Sequence, residues 1–482
     1  MSSIVGIQGN VKANDIIKML KASKNRGLDS SGIYLDKIYE NIDLDQFKND
    51  EVFKIALGHN LNKVYDLNTR VSSPNPIGND KLTLVFDGVL YNFHTIKNLL
   101  AKVGVDVEIK SDSEALLYLI DFYNKGDLVK AIQSAVRLVD GDYAFAVFDG
   151  ENLAITRDSL GVKPLFYSIS DDKCAFASSK HSLKELGFSD INTLKPQHIL
   201  FNWDDIHPVQ KIHEKIIEGD VSKIDKLLKL SVSKRVEELQ SVGVIFSGGV
   251  DSSYLALLLK EISQNIPLKI ILYAVGVEGS KDLDSAIYAS KFLNLELKTL
   301  ILTEDMVRNA LPEVVNAIGD DNLMKVGVGL TTYFATKIVA QDDLKVAISG
   351  QGADELFGGY KRYLKSFVDD TLNYDIREDI SNMYHVNLER DDACSMLNSV
   401  ELRLPFLDES LVELALNIPD NKKIVSMHDD MRKSILRKLA FEEGLDYEIA
   451  YRPKKAAQYG TGIDKILRKK ILKDTDISQF LK

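Results

Sequence analysis

Two glycine-rich segments, each directly after a short apolar run, constrain the fold of this chain more than any other feature. Residues 247–253 (SGGVDSS) follow a predicted strand at 242–246, and residues 349–360 (SGQGADELFGGY) follow a predicted strand at 344–348. Glycine lets a ligand come close to the backbone, while free amides and a helix N-terminus attract an anion. The first segment is therefore a predicted phosphate-binding loop, although a serine–glycine turn that only caps a helix has the same shape. The second segment is predicted to place another glycine-rich loop at the same edge of a sheet.

The second half of the chain alternates short strands with helices. Further strands are predicted at 268–275 and 295–302, and helices at 252–262 and 283–293. This alternation favours a doubly wound parallel sheet, with both loops at the edge where the strands end. No GxxxxGK[ST] motif occurs in the sequence, so the lysine of kinase-like loops is absent. Cleavage of a nucleotide to AMP and pyrophosphate is therefore favoured over transfer of its γ-phosphoryl group.

Each loop also carries one aspartate, Asp251 in the first and Asp354 in the second. Two carboxylates beside a triphosphate suit Mg²⁺, because this ion prefers oxygen ligands and often bridges phosphate and protein. Each aspartate could instead cap a helix, which is worth about 1 kcal/mol, and one residue can do both. The sequence therefore predicts a magnesium–nucleotide site at these loops.

The first part of the chain is predicted to be a strand-rich α+β domain. Strands are predicted at 81–86 and 143–148, each before an Asp-Gly turn, and one helix is predicted at 113–124. Long helices do not regularly separate these strands, as a parallel sheet would require.

Length and periodicity together predict two domains. The 482 residues exceed what one hydrophobic core usually serves, and the strand pattern weakens around His207-Pro208. We therefore predict one domain at 1–205, a linker at 206–220 and a second domain at 221–482.

Charge and cysteine content exclude several classes of protein. The formal charge is −11, from 60 Lys and Arg against 71 Asp and Glu, which argues against a nucleic-acid coat or a polybasic membrane anchor. Cys174 and Cys394 are the only cysteines, which excludes a disulfide framework and a Cys-rich zinc site. We find neither an apolar run long enough to span a membrane nor a signal peptide, so the expected location is the cytoplasm.

Further motifs give the chain a resemblance to a known family. With residues 274–276 (AVG), 400–408 (VELRLPFLD) and 452–460 (RPKKAAQYG), the loops resemble the synthetase half of glutamine-dependent asparagine synthetases and related β-lactam synthetase-type enzymes. The resemblance covers nearly the whole chain and implies an ATP-pyrophosphatase-like fold. It also implies ATP and Mg²⁺ as cofactors, activation of aspartate as an acyl-adenylate, and capture by ammonia to give asparagine, AMP and pyrophosphate. A homodimer is a further implication.

The resemblance assigns roles to individual residues. The ATP-binding positions correspond to Ile245, Ser247, Gly248, Gly249, Asp251, Ser252, Ser253, Val275, Ser349 and Gly350. Asp251 and Asp354 match the Mg²⁺ ligands. Lys454 matches a lysine that stabilises negative charge during adenylation and acyl transfer, although spacing alone fits a surface lysine equally well. Arg390 matches an arginine near the substrate carboxylates, where a bidentate guanidinium is useful.

Two departures from the family concern the acceptor carboxylate. Gln351 stands where asparagine synthetases usually have a glutamate of their catalytic site, and residues 326–329 (VGVG) replace a segment that usually contains Arg-Ala-Ser. Both changes put the identity of the acceptor in question more than they affect ATP binding.

The first domain resembles the N-terminal-nucleophile glutaminase of the same family. The resemblance is carried by residues 26–32 (RGLDSSG), 58–59 (GH), 87–92 (DGVLYN), 111–114 (SDSE) and 157–165 (RDSLGVKPL). It implies a shared fold, an α+β glutaminase-like domain before the α/β synthetase domain.

Four positions of the glutaminase site differ from what its chemistry needs. Ser2 replaces the cysteine whose thiol attacks glutamine, and a hydroxyl ionises far less readily. Leu61 replaces the arginine that grips glutamine's carboxylate, Asp87 replaces the oxyanion-hole asparagine, and Val89 replaces an acidic residue. Asp112, which would hold glutamine's amino group, is retained. We predict natural loss of glutaminase activity.

Three hypotheses for the function follow. The first is ATP-dependent amidation of aspartate with ammonia. The second is amidation or ring closure on another carboxylate with another amine. The third is a non-catalytic scaffold or regulatory protein, which the retained loop, the two aspartates and Lys454 argue against.

Overall fold

The computed structural model describes residues 2–67, 69–209, 221–453, 456–473 and 476–481. The chain forms two compact units. The first comprises Met1–Ile212 together with Tyr384–Asp392, and the second comprises His213–Met383 with Ala393–Lys482. No helix within the described ranges is long and apolar enough to cross a membrane.

Two sheets form the first unit. Its strands are β1 (Ser3–Lys12), β2 (Ser30–Tyr34), β3 (Ile38–Tyr39), β4 (Val52–Leu61), β5 (Ile77–Gly78), β6 (Thr83–Leu90), β7 (Gly141–Phe148), β8 (Leu153–Arg157), β9 (Phe166–Ile169), β10 (Lys173–Ala177), β11 (Asn192–Thr193), β12 (His198–Phe201) and β13 (Asp205–Pro208). Among the described residues, one sheet has the order β11-β9-β10-β1-β4-β2-β3 and the other β13-β12-β8-β7-β6-β5. Every pairing in both is antiparallel.

Helices cover the outer faces of these sheets. They are α1 (Ala13–Ala22), α2 (Phe93–Lys102), α3 (Asp112–Tyr123), α4 (Leu128–Val136) and α5 (Lys180–Lys184). One apolar cluster fills the space between the sheets, including Ile4, Leu57, Val85, Ala144 and Phe176. Two more clusters lie under the helices, α1 and α5 on one side and α2 to α4 on the other. The unit is thus a four-layer αββα structure, which confirms the predicted glutaminase-like α+β fold.

The sequence analysis missed four of these five helices. The predicted helix 113–124 corresponds to α3, which starts at a capping box in which Ser111 and Glu114 bond each other's backbone N–H groups at 3.2 and 2.8 Å. In α1 the buried residues Ala13, Ile16, Ile17 and Leu20 have helical spacing, so the periodicity was present but was not used.

The predicted linker at 206–220 differs from the structure at its start. Residues Asp205–Pro208 form strand β13, which pairs with β12. His207-Pro208 does not end the strand because β13 lies at a sheet edge, where a proline removes no ladder hydrogen bond. Residues 210–220 lie outside the described residues. The grouping of Tyr384–Asp392 with the first unit was not predicted.

A five-stranded parallel sheet forms the centre of the second unit, as far as the structure describes it. Its strands are β14 (Ser241–Ile245), β15 (Lys269–Gly276), β16 (Glu296–Ile301), β17 (Val346–Ile348) and β18 (Glu401–Arg403), in the order β16-β15-β14-β17-β18. All four pairings are parallel. The predicted parallel α/β sheet is therefore confirmed.

Helices flank this sheet and fill the later part of the chain. They are α6 (Lys223–Val236), α7 (Val250–Ile262), α8 (Lys281–Leu293), α9 (Glu304–Ile318), α10 (Leu323–Ala340), α11 (Ala353–Leu356), α12 (Tyr363–Val368), α13 (Leu372–Met383), α14 (Glu389–Met396), α15 (Glu409–Leu416), α16 (Asp420–Lys423), α17 (Ser434–Glu442), α18 (Tyr447–Ala450), α19 (Ala457–Gly460) and α20 (Ile463–Ile466). The first residues of α14 group with the first unit.

Candidate functional site

The two glycine-rich loops meet at one edge of the parallel sheet. They follow β14 and β17, which are hydrogen-bonded neighbours, so the carboxyl ends of both strands point the same way. A Cβ built on Gly350 would lie 3.1 Å from the Cβ of Asp251. The structure therefore brings together the predicted residues of the two loops.

The first loop is shaped by a glycine and by its own serines. Gly248 has φ +65°, and a Cβ there would lie 2.4 Å from the backbone of Ser285 at the start of α8. A side chain would therefore collide with backbone, not with a movable group. The N–H groups of Ser247 and Gly249 donate to the hydroxyls of Ser252 and Ser247 at 3.3 and 3.4 Å. The loop is held open ahead of α7, where a helix N-terminus can attract phosphate.

A buried lysine bridges the two predicted magnesium ligands. Lys433 Nζ lies 2.6 Å from Oδ2 of Asp251 and 2.7 Å from Oδ1 of Asp354. The lysine side chain is fully buried, and each aspartate side chain is under a fifth exposed. The three charges form a compact site with one net negative charge, in which Lys433 contacts one carboxylate oxygen of each aspartate.

The backbone that presents Lys433 is strained. Arg432 and Lys433 have φ values of 53° and 54°, a left-handed conformation that costs side-chain-bearing residues energy. Arg432 Nε donates to the carbonyl of Gly359 at 2.9 Å, which fixes this turn against the second loop. The sequence analysis missed Lys433, because a lysine just before an amphipathic helix has no motif of its own.

The remaining predicted residues of this site lie in different places. Val275 is buried at the end of β15, and the backbone N–H of the half-buried Gln351 donates to Ser349 Oγ at 3.4 Å. Lys454 lies outside the described residues. Its neighbour Arg452 donates to the carbonyl of Ser247 at 2.8 Å and thereby reaches the first loop.

Arg390 belongs to a different unit from the two loops. It belongs to the stretch that groups with the first unit, and its guanidinium forms two hydrogen bonds to Asp391, at 2.9 and 3.0 Å. The resemblance assigns this guanidinium to a substrate carboxylate, whereas in the structure it binds the carboxylate of Asp391.

In the first unit, the residues that the resemblance assigns to a glutaminase site include a buried ion-pair network. The backbone N–H of Ser2 donates to Oδ1 of the fully buried Asp87 at 2.8 Å. Arg26 contacts Asp87 Oδ2 at 3.2 Å and also forms an ion pair with Asp392. The residue that the resemblance assigns to the oxyanion-hole position is thus a carboxylate that accepts hydrogen bonds. Neither its partner Arg26 nor Asp392, the second carboxylate that pairs with Arg26, was identified from the sequence.

The resemblance assigns three further positions of the glutaminase site to Leu61, Val89 and Asp112. Leu61 and Val89 are buried apolar residues. Asp112, the one retained residue, accepts hydrogen bonds from Arg70 Nη2 at 2.8 and 2.9 Å. The Arg70 guanidinium lies over the ring of Tyr65 at 4.1 Å and is almost fully buried. The carboxylate that would hold glutamine's amino group is thus already paired with a cation of the protein.

The pH dependence of stability in this unit should reflect His59. Burial lowers the pKa of His59 to about 3, although the Asp87 carboxylate raises it. In the unfolded chain a histidine pKa is about 6.5, so below that pH the unfolded state binds a proton that the folded state does not. Stability should therefore fall as the pH is lowered from about 6.5 towards 3.

We expect His59→Leu to reduce this loss, measured as the slope of the thermal-unfolding midpoint between pH 4 and 7. His181→Leu, at a mostly exposed histidine of the same unit, is the control. An unchanged slope in His59→Leu would contradict the assignment.

The fold and the two loops define a class of ATP-dependent carbon–nitrogen ligases with an amidotransferase-type first unit. Residues 1–226 match the glutamine amidotransferase domain family, and residues 223–377 and 368–476 match the asparagine synthase family. The chain belongs to the asparagine synthase family.

Relatives agree with this assignment. A putative glutamine-hydrolysing asparagine synthetase 1 from Methanocaldococcus jannaschii is 36% identical over 534 residues, covering 97% of this chain and 95% of that protein. A probable glutamine-hydrolysing asparagine synthetase from Acanthamoeba polyphaga mimivirus is 27% identical over 77% of this chain and 71% of its own length. The glutamine-hydrolysing asparagine synthetase of Rattus norvegicus is 27% identical over 82% of this chain and 74% of its own length.

Proposed function

We propose that this protein forms asparagine from aspartate, ammonia and ATP, releasing AMP and pyrophosphate. The observation that carries the proposal is the convergence of both loops with Asp251, Lys433 and Asp354 at one sheet edge. The loop amides and the buried Lys433 can stabilise a bound polyphosphate, on which negative charge increases as pyrophosphate leaves. No P-loop lysine is present, which favours attack at the α-phosphate by the aspartate side-chain carboxylate.

The donor set fits Mg²⁺. Oδ1 of Asp251 is buried and accepts no hydrogen bond from the residues that the structure describes, so it is available to a cation. The described residues contain no group of three or more His, Cys, Asp or Glu side chains able to hold a metal ion alone, so phosphate oxygens would complete the coordination. Asp251 and Asp354 would hold the ion, which when bound neutralises phosphate charge. Lys454 is proposed to stabilise charge in the same reaction.

We further propose that the first unit no longer hydrolyses glutamine and that free or delivered ammonia is the nitrogen source. Supporting this are the hydroxyl at Ser2, the Asp87 carboxylate paired with Arg26, and Asp112 paired with Arg70. An anion at the oxyanion position opposes the charge that develops there, where losing even one donor costs about 3 kcal/mol. A homodimer and a cytoplasmic location stay predictions.

Product analysis tests both proposals. With MgATP, aspartate and ammonium, we expect AMP, pyrophosphate and asparagine in equal amounts. With glutamine in place of ammonium, we expect neither asparagine nor glutamate above background, while added ammonium should restore asparagine in the same sample. Efficient use of glutamine would overturn the account of the first unit and leave the synthetase proposal standing.

A second candidate function is amidation or cyclisation of a different carboxylate. It is favoured by Gln351 in the second loop and by the altered segment 326–329 in α10, of which Val326, Gly327 and Gly329 are buried. A screen of carboxylates for ATP–pyrophosphate exchange separates the two candidates, because adenylation depends on the acceptor before any amine reacts. Exchange with another acid and not with aspartate would favour the second.

A further inference from the structure

Gln458 in α19 has a buried side-chain amide with an unpaired acceptor. The residue is only 2% exposed, and its Oε1 has no hydrogen-bond partner among the residues that the structure describes. Buried carbonyl oxygens are nearly always paired, because an unpaired one loses its hydration without compensation. An acceptor that the described residues leave unpaired is available to a donor on a ligand.

The segment that carries Gln458 is anchored beside the nucleotide loops. Before it, Arg452 donates to the carbonyl of Ser247 at 2.8 Å and to Asp282 at 2.7 Å. After it, the N–H of Val277, just beyond β15, donates to the carbonyl of Thr461 at 2.8 Å. Both anchors lie at the carboxyl end of the sheet, which is the end that binds ligands in this kind of fold.

Gln458 also packs on the helix segment that departs from the family pattern. A Cβ built on Gly327 would lie 3.2 Å from the Cβ of Gln458, closer than most Cβ contacts. Glycine at 327 therefore lets the Gln458 side chain lie against α10. The segment 326–329, which departs from the family pattern, therefore contacts the residue whose amide oxygen is unpaired.

We propose that Gln458 Oε1 accepts a hydrogen bond from the ammonium group of the acceptor substrate and so selects an amino acid over a simple dicarboxylate. This inference rests on the proposed adenylation of aspartate. At neutral pH both carboxylates of aspartate only accept hydrogen bonds, so its ammonium group is its only donor for Oε1. Succinate has the same two carboxylates and no ammonium group, so it cannot satisfy Oε1.

The test is ATP–pyrophosphate exchange with aspartate and with succinate in wild type and Gln458→Met. Methionine keeps the unbranched shape and buried volume but cannot pair with an ammonium group. We expect wild type to prefer aspartate. In the variant, kcat/KM for aspartate should fall about 10- to 100-fold, the loss typical of one charge-assisted hydrogen bond, while succinate exchange and the KM for ATP stay within twofold. Gln341→Met, at an exposed glutamine of the same unit, is the control.

The outcomes separate this inference from the proposed function. Equal exchange with both acids in wild type, or an unchanged aspartate preference in Gln458→Met, would overturn the role of Gln458 and leave adenylation intact. A fall in exchange with both acids to the same degree would indicate a structural role and would also overturn it. No exchange with any acid in wild type would overturn the proposed adenylation and this inference with it.

Discussion

Asp251→Asn should lower aspartate-dependent pyrophosphate release by at least about 100-fold, the loss typical when one preorganised charge-stabilising group is removed. Asparagine keeps the shape of the side chain but carries no charge, so it binds a cation more weakly than a carboxylate does and cannot balance the charge of Lys433. Lys433 keeps its contact with Asp354 at 2.7 Å, so the fold should survive. The measurement is the initial rate of pyrophosphate release at saturating MgATP, aspartate and ammonium.

The matched control is Asp305→Asn, which neutralises an exposed aspartate of the same unit. Its rate should stay within twofold of wild type, and the thermal-unfolding midpoints of both variants should be close to that of wild type. Pyrophosphate release by Asp251→Asn at the rate of the control would refute the assignment of Asp251 as a ligand.

Arg26→Met should destabilise the first unit by about 3–5 kcal/mol, because it removes the guanidinium that pairs with two buried carboxylates. Arg26 is 3% exposed, and it pairs with both Asp87 and Asp392. For a unit of this size, such a loss lowers the thermal-unfolding midpoint by roughly 10 °C. Differential scanning calorimetry should show this shift in the transition of the first unit.

Lys21→Met provides the comparison within the same unit. Lys21 pairs with Asp45 at 2.6 Å, but these side chains are 47% and 85% exposed, so the pair is worth under about 1 kcal/mol. Equal midpoints for the two variants would mean that the Arg26 network contributes no more than a surface pair. If Arg26→Met unfolded at the wild-type midpoint, the ion pair with Arg26 would not explain why a buried aspartate stands at position 87.

The chemistry-bearing loops could be predicted from the sequence, whereas their partners could not. Residues 247–253 can be recognised in the sequence because glycines and serines directly follow an apolar strand, and this pattern is local. Lys433 reaches Asp251 from 182 positions away, and Arg26 reaches Asp392 from 366 positions away. Such contacts depend on how the whole chain folds, and no spacing rule connects them.

The same distinction explains the errors in the fold. The parallel sheet was predictable because its central strands β15, β14 and β17 are short, mainly apolar runs with helices between them. In the first unit both faces of the central strands are covered, so the first five residues of β1 are all buried and give little information about which helices cover the strand. Proline at 208 suggested a break, but only the sheet order reveals that the strand is at an edge.

The grouping of Tyr384–Asp392 with the first unit has a consequence for dissecting the protein. Asp392 pairs with Arg26, and the ring of Tyr384 lies 5.6 Å from the Arg157 guanidinium. A gene fragment that stops at residue 212 therefore encodes the first unit without its segment Tyr384–Asp392. The first unit is discontinuous in sequence, so no single cut in the chain separates the two units intact. Neither unit can therefore be exchanged or expressed as a separate domain by dividing the gene at one point.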